Sequence, residues 1–227
     1  MRLVCARVGV DLLVLAAFPP ELAPLRDALG TDLRRRVAGI DVAAKAVGIG
    51  LATAAAGAAG RLVALRPRAV VMVGTCGAYD ALHPIGAVAV ARRVVLADSA
   101  ALRGDAAFPE PMSTEVAADR AMAEGLVANG GTPADVATTL AITTDDALAT
   151  AIAAGARCSV EHLEAYGVAA ACAAESVPFV AALGVANAVG SRAREDWKRH
   201  HRAASDAAIR VLLAWITGGA QGLPRDV

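Results

Sequence analysis

AVVMVG, Ala69–Gly74, is apolar throughout and rich in β-branched valine, with no polar residue turned out at alternate positions. That is the signature of a strand covered on both faces, so it predicts a sheet with helices on either side. The flanking sequence agrees. Upstream, Gly48 and Gly50 open a helix of small residues, LATAAAGAAGRLVAL, which Pro67 ends, and a short ribbon over roughly 34–47 precedes it. Further back, DLLVLAAF (11–18) reads as a buried strand, followed by a helix ELAPLRDALG opened by Pro19-Pro20 and closed at Gly30.

Downstream, GTCGAYD reads as a turn-rich loop and GAVAVARRVVLA as a long extended segment. The stretch 98–113, with Gly104, Pro109 and Pro111, reads as a loop over a site. Helices are expected at 114–129 and 145–154 with a strand, ATTLAIT, between them. The last third repeats the pattern: a strand RCSVEH, a helix Leu163–Glu175, a strand VPFVAALGVA and a helix over 195–217. Such alternation predicts a single α/β domain over 1–227, with a mostly parallel or mixed sheet whose strand carboxyl ends gather ligands.

Composition narrows the partners. Lys plus Arg and Asp plus Glu stand at 22 each, so no net field holds a polyanion, and no basic block is interleaved with aromatics. Nucleic acid is therefore not an expected partner. The apolar N-terminal segment contains Asp11 and runs into Pro19-Pro20, too short and interrupted to span a bilayer, and it reads as the first strand rather than a signal peptide. Aromatics make up only 3% of the chain, so the core must be built by close approach of small side chains. Cys5, Cys76, Cys158 and Cys172 lack metal or redox spacing and read as reduced buried thiols of a cytoplasmic protein. The four histidines provide no clustered ligand set, so no metal is expected.

Polar residues just beyond the apolar strands are the candidates for chemistry: Glu21, Thr75, Glu161, Glu164 and Asn187. Each also has a plain structural reading. Glu21 and Glu164 could be first-turn acids complementing a helix dipole, Asn187 a turn residue, Thr75 part of a tight turn, and Arg192 and Arg194 a solvated loop.

Their order changes the weighting. AAFPPELAPLRDAL, VGIGLATAAAGAAG, VVMVGTCGAYD with IGAVAV, ITTDDAL, VEHLEAYGVAAAC and VPFVAALGVANAVGSRAREDW together resemble the purine nucleoside phosphorylase and methylthioadenosine/S-adenosylhomocysteine nucleosidase superfamily over almost the whole chain. The last stretch is most similar to futalosine hydrolases. The resemblance implies a phosphorylase/hydrolase-like three-layer α/β fold, a central mixed sheet flanked by helices, and a homodimer or higher homo-oligomer, for which the loop 98–113 is the candidate contact. It implies a small-molecule purine nucleoside as partner and no cofactor.

By the same resemblance, Glu21 activates the attacking water, Glu164 binds the ribose hydroxyls and Asn187 holds the leaving base. Thr75 and Gly77 of the glycine loop and Leu163 belong to the substrate-binding set, and Ala147 and Leu148 flank the purine. The chemistry suits these types, because N-glycosidic cleavage passes through a ribosyl cation-like state that carboxylates stabilise. Adenine-specific relatives carry Asp where this chain has Asn187. The Asn NH2 can donate to N7 and to a 6-oxo group, which favours a hypoxanthine- or guanine-like base. Phosphate would need arginines where this chain has Met72, Pro19 and Pro20, so water is the expected nucleophile.

Departures accompany the match. His162-Leu163-Glu164 stands for the usual Glu-Met-Glu, with Glu161 one residue early, and Leu183 stands where an Arg is common. A shift of one on a strand would reverse the face of Glu161. A purine nucleoside phosphorylase and a non-catalytic nucleoside-binding homologue are the alternatives.

Overall fold

The computed structural model describes residues 9–224. Cys5 lies outside them. The strands are β1 (Leu12–Ala16), β2 (Arg34–Val37), β3 (Ile40–Ala46), β4 (Ala69–Ala78), β5 (Val88–Leu96), β6 (Glu115–Ala117), β7 (Thr132–Thr138), β8 (Val160–Glu161) and β9 (Phe179–Ala188). The helices are α1 (Arg26–Leu29), α2 (Leu51–Leu65), α3 (Ser99–Arg103), α4 (Arg120–Ala128), α5 (Asp146–Ala156), α6 (Ala165–Ala174) and α7 (Ala193–Thr217), with a 3₁₀ turn over Pro19–Leu25.

These strands make one mixed sheet in the order β2-β3-β1-β4-β8-β7-β5-β6, and β9 pairs with both β4 and β5. The pairings β4–β9–β5–β7–β8–β4 therefore close a ring of five strands at the centre. β4 is fully buried over Ala69–Gly74, as its apolar run demands. On one side α2 and α6 pack through Ala54, Ala58, Leu62, Val168, Ala169 and Cys172. On the other, α7, α4 and the 3₁₀ turn bring Leu212, Trp215, Ile216, Met122, Leu126 and Leu22. The expected layering of helices on both faces of a mixed sheet is what the chain adopts.

Small residues set the spacing. A Cβ on Gly184 of β9 would stand 2.0 Å from the Ala204 carbonyl oxygen on α7, and one on Gly57 would stand 2.2 Å from the Val47 carbonyl oxygen. With few rings to fill volume, the layers approach until backbones touch.

Several element boundaries differ from those the sequence predicts. β4 does not turn at Gly74 but runs on to Ala78, because β9 pairs with it as far as Ala188 and β8 pairs with Gly77 and Ala78. The strand expected at ATTLAIT lies earlier, at Thr132–Thr138, because β5 pairs in parallel with 132–138. The helix expected over 114–129 is split: Glu115–Ala117 pairs with β5, and α4 starts after Asp119, whose side chain accepts from the Met122 amide. Pro24 keeps the first helix as a 3₁₀ turn before a single turn of α1. RCSVEH contributes only the two residues of β8. Cys76, Cys158 and Cys172 are buried free thiols. Among the described residues no helix is long and apolar enough to cross a membrane.

The Gly184 contact gives a direct check. Gly184→Ala must force α7 away from β9 and is expected to cost on the order of 3 kcal/mol, at the upper end of overpacking effects, read as a lowered midpoint in thermal or urea unfolding.

Candidate active site

The carboxyl ends of β1, β4, β8 and β9 open on one cavity of about 470 Å³. Glu21, Thr75, Gly77, Leu163, Glu164 and Asn187 all line it, as do Glu161 and His162. Ala147 and Leu148 do not. They stand on α5, where Leu148 packs against the small cluster of Ala97, Ile152 and Cys158. The same stretch instead contributes Ile142 to the wall, while Thr143 bonds Glu161 and Asp146 accepts from the Ser191 amide at 2.8 Å and its hydroxyl at 3.0 Å. The segment 98–113 also fails to reach the cavity within one chain; α3 leans on α5, with Leu102 against Gly155.

Glu21 sits in the turn that Pro19-Pro20 begins. One carboxylate oxygen accepts from the Phe18 amide at 3.1 Å, and the other accepts from the Thr75 amide at 3.1 Å and the Thr75 hydroxyl at 3.3 Å. It lies flat against β4 at Gly74, where a Cβ would come within 3.1–3.3 Å of the carboxylate. Its pKa is raised to about 7: burial is the main cause, the Glu164 charge adds to the rise, and the hydrogen bonds from Phe18 and Thr75 oppose it.

Asn187 owes its aim to an irregularity. Cys76 pairs with Val185, and Gly77 with Asn187, so Ala186 is an extra residue in β9, and such a bulge re-aims the side chain that follows. The amide nitrogen donates to the Ala188 carbonyl at 2.8 Å, which fixes the orientation of the carboxamide. One N–H is thus spent on the backbone, and one remains for a ligand, rather than the pair the residue type alone offers. A Cβ at Gly77 would stand 2.6 Å from that nitrogen, so this glycine makes room for it.

Glu164 comes from the loop before α6. It accepts from the Gly50 amide at 2.8 Å, at the start of α2, where free backbone N–H groups favour an anion. His162 caps α6: its Nδ1 accepts from the amides of Glu164 at 3.2 Å and Ala165 at 3.1 Å. Burial lowers its pKa against the pull of Glu164 and Glu161, and an Nδ1 that accepts two amides carries no proton. The 3.3 Å approach to Glu164 is therefore not an ion pair of charged groups.

Glu161 reaches the same cavity despite its one-residue offset. β8 ends at Glu161 and the chain then leaves the sheet, so strand alternation imposes nothing on 162–164. Its oxygens accept from the Tyr79 hydroxyl at 2.8 Å, the Thr143 amide at 3.1 Å and the Thr143 hydroxyl at 2.6 Å, which makes it a buttress of the wall. Leu183 is fully buried in the core, as is Met72. The cations that line the cavity are instead Arg194 and Lys198 of α7, beside Trp197. Sequence reasoning passed over Lys198 and took Arg194 for a solvated loop; their i, i+4 spacing on the helix that follows Asn187 was the available signal. Among the described residues no group of three or more His, Cys, Asp or Glu is placed to hold a metal ion.

No family model matches the sequence, and no curated relative does. Solved structures do match. One is a 5′-methylthioadenosine/S-adenosylhomocysteine nucleosidase from Colwellia psychrerythraea 34H in complex with adenine, at TM-score 0.83 and 17% identity over 96% of this chain and 98% of that one. Another is a futalosine hydrolase mutant of Helicobacter pylori strain 26695, at TM-score 0.82 and 14% identity over 92% and 99%. A third is the methylthioadenosine/S-adenosylhomocysteine nucleosidase of Helicobacter pylori with butyl-thio-DADMe-Immucillin-A, at 0.83 and 14% over 92% and 99%. The fold is the one these nucleosidases share. At such identities the likeness concerns the fold, and the chemistry has to be argued from the cavity itself.

The raised pKa of Glu21 has a consequence for stability. Between pH about 4.5 and about 7 the folded protein keeps a proton that the unfolded chain has lost, so this group's contribution falls as pH rises through that window. The penalty, on the order of 3 kcal/mol, is fully present above it. Thermal unfolding of Glu21→Gln and the wild type at pH 5 and pH 8 is expected to show the variant gaining relative stability at the higher pH; parallel curves would refute the buried proton.

Proposed function

We propose that the chain is a nucleosidase that hydrolyses the N-glycosidic bond of a 6-oxopurine nucleoside, with futalosine as the substrate that the resemblance of its last stretch and the carboxamide of Asn187 favour. The observation that carries this reading is the meeting of Glu21, Glu164 and Asn187 in one cavity from three distant parts of the chain. Glu21, with a pKa near neutrality, takes a proton from water, whose oxygen attacks C1′ while the C1′–N9 electron pair leaves with the purine. Glu164 accepts the ribose hydroxyls and stabilises the positive charge that develops on the sugar. Thr75, Gly77 and Leu163 complete the sugar site, and Ile142, rather than Ala147 and Leu148, flanks the base.

Asn187 supports the choice of base. A carboxamide has no proton to give, so the purine leaves as an anion hydrogen-bonded at N7 by the one N–H that Asn187 has left. A 6-oxopurine spreads that charge onto its exocyclic oxygen, and a 6-aminopurine cannot. Water is favoured over phosphate because the carboxylate of Glu21 would repel an anionic nucleophile. Arg194 and Lys198 favour the second reading, a purine nucleoside phosphorylase. Assembly as a homodimer or larger ring belongs to the same proposal, with 98–113 as the contact; it exposes Leu102 and Met112.

Incubation with inosine, futalosine and methylthioadenosine, with and without phosphate, tests the reading by release of free base. Hypoxanthine release independent of phosphate is expected. Glu21→Gln and Glu164→Gln should each lower kcat by about 10²-fold or more, and Asn187→Asp should shift preference toward adenine. Dependence on phosphate would select the phosphorylase, and no base from any nucleoside would leave a binding protein.

A further inference from the structure

Thr75 lies between two partners. Trp197 Nε1 stands 3.1 Å from the Thr75 hydroxyl oxygen, and Glu21 Oε1 stands 3.3 Å from the same oxygen. An indole N–H can only donate, whereas a hydroxyl donates one proton and accepts through its lone pairs. The hydroxyl must therefore accept from Trp197, and its single proton turns to Glu21. Trp197 is itself held in place. Its ring stacks on His201, centroids 4.4 Å apart and planes at 17°, one turn further along α7. The carbonyl of Trp197 lies 3.0 Å from His201 Nδ1.

The ring also stands where two spaces meet. Behind the catalytic cavity lies a second one of about 460 Å³, and Phe18, Glu21, Thr75 and Trp197 border both. Glu21 thus borders two spaces; the Phe18 and Thr75 amides hold its two oxygens, and the Thr75 hydroxyl is the one donor to it whose direction a second side chain sets.

We propose that Trp197 is a positioning residue: its indole N–H orients the Thr75 hydroxyl so that the proton is donated to Glu21, which holds that carboxylate ionised and aimed at the attacking water. The catalytic half of this statement rests on the nucleosidase reading, and the relay itself does not. A hydrogen bond to the charged form of an acid lowers its pKa, so the relay opposes the upward push of burial. Other charges that face Glu21 are Glu164 across the cavity, with Glu161 and the neutral His162 beside it, and Arg194 and Lys198 on α7. In the second cavity they are His201, Arg202 and Asp206, also on α7. Of these only His201 touches the Trp197 ring, and Thr75→Val, which leaves that stack in place, reads the hydroxyl's donation to Glu21 by itself.

The test is a carbon-13 NMR titration of the glutamate side-chain carboxyls in the full chain, with Glu21→Gln assigning the signal. Trp197→Phe keeps a ring at this exposed position and is expected to raise the Glu21 pKa by about half a unit, with Thr75→Val raising it by about one. The double variant should titrate like Thr75→Val alone, because the N–H acts only through the hydroxyl. Trp197→Leu serves in the same comparison if the phenylalanine variant does not fold. A Glu21 titration unmoved by Trp197 or by Thr75 substitution, or a double variant shifted beyond Thr75→Val, would overturn the relay. In variants that turn over nucleoside, the acid limb of kcat/KM should move with the NMR titration. Titrations that shift as expected in a chain that releases no base would keep the relay and remove the nucleosidase reading.

Discussion

Two side chains missing from one strand make this site possible. Gly74 and Gly77 on β4 leave gaps into which Glu21 and Asn187 settle, one from the turn after β1 and one from the end of β9. A methyl group at the first would press on the carboxylate, and at the second it would collide with the carboxamide nitrogen. Thr75 lies between them, its amide and hydroxyl on Glu21, so three successive features of GTCG serve one cavity. Through this region β9 and β8 both pair with the strand, the closure that turns an open sheet into a central ring.

The electrostatics of the cavity follow from how each acid is satisfied. Glu161 has three donors and no unmet demand, which makes it part of the wall. Glu164 accepts one amide at a helix start through one oxygen, and its other oxygen lies 3.3 Å from the proton-free His162 Nδ1. Glu21 is the most burdened, with burial and a neighbouring acid raising its pKa and three hydrogen bonds restraining it. An acid placed near neutrality by opposed effects is suited to proton transfer, and it also weakens the fold above neutral pH.

Much of this was legible in the sequence, and the failures have physical causes. The run Ala69–Gly74 and the terminal helix after Asn187 were plain, because long apolar periodicity survives tertiary context. Glu21, Thr75, Gly77, Leu163, Glu164 and Asn187 were identified by their places after apolar runs and by resemblance, and the folded chain brings them to one cavity. What was hidden depends on pairing across the sheet. The bulge at Ala186, the extension of β4 to Ala78 and the reach of Glu161 are set by partner strands, which no local pattern reveals. Ala147 and Leu148 fall outside the cavity for a related reason: Asp145 caps α5 by accepting from the Leu148 amide, so the helix starts early enough to draw both residues away from it. Arg194 read as a solvated loop because α7 was expected to begin only at Glu195; the helix starts at Ala193, which puts Arg194 and Lys198 one turn apart on the same face.

The claim on which all of this depends is that one sugar–purine linkage sits among Glu21, Glu164 and Asn187. A crystal structure with a non-cleavable C-nucleoside bearing a 6-oxo base tests it most directly. The account predicts the ribose hydroxyls at hydrogen-bond distance from Glu164, the carboxamide of Asn187 on the N7 edge, and Glu21 on the far face of C1′ with room for one water between. A nucleoside bound outside this cavity, or bound within it with its glycosidic bond remote from Glu21, would contradict the account.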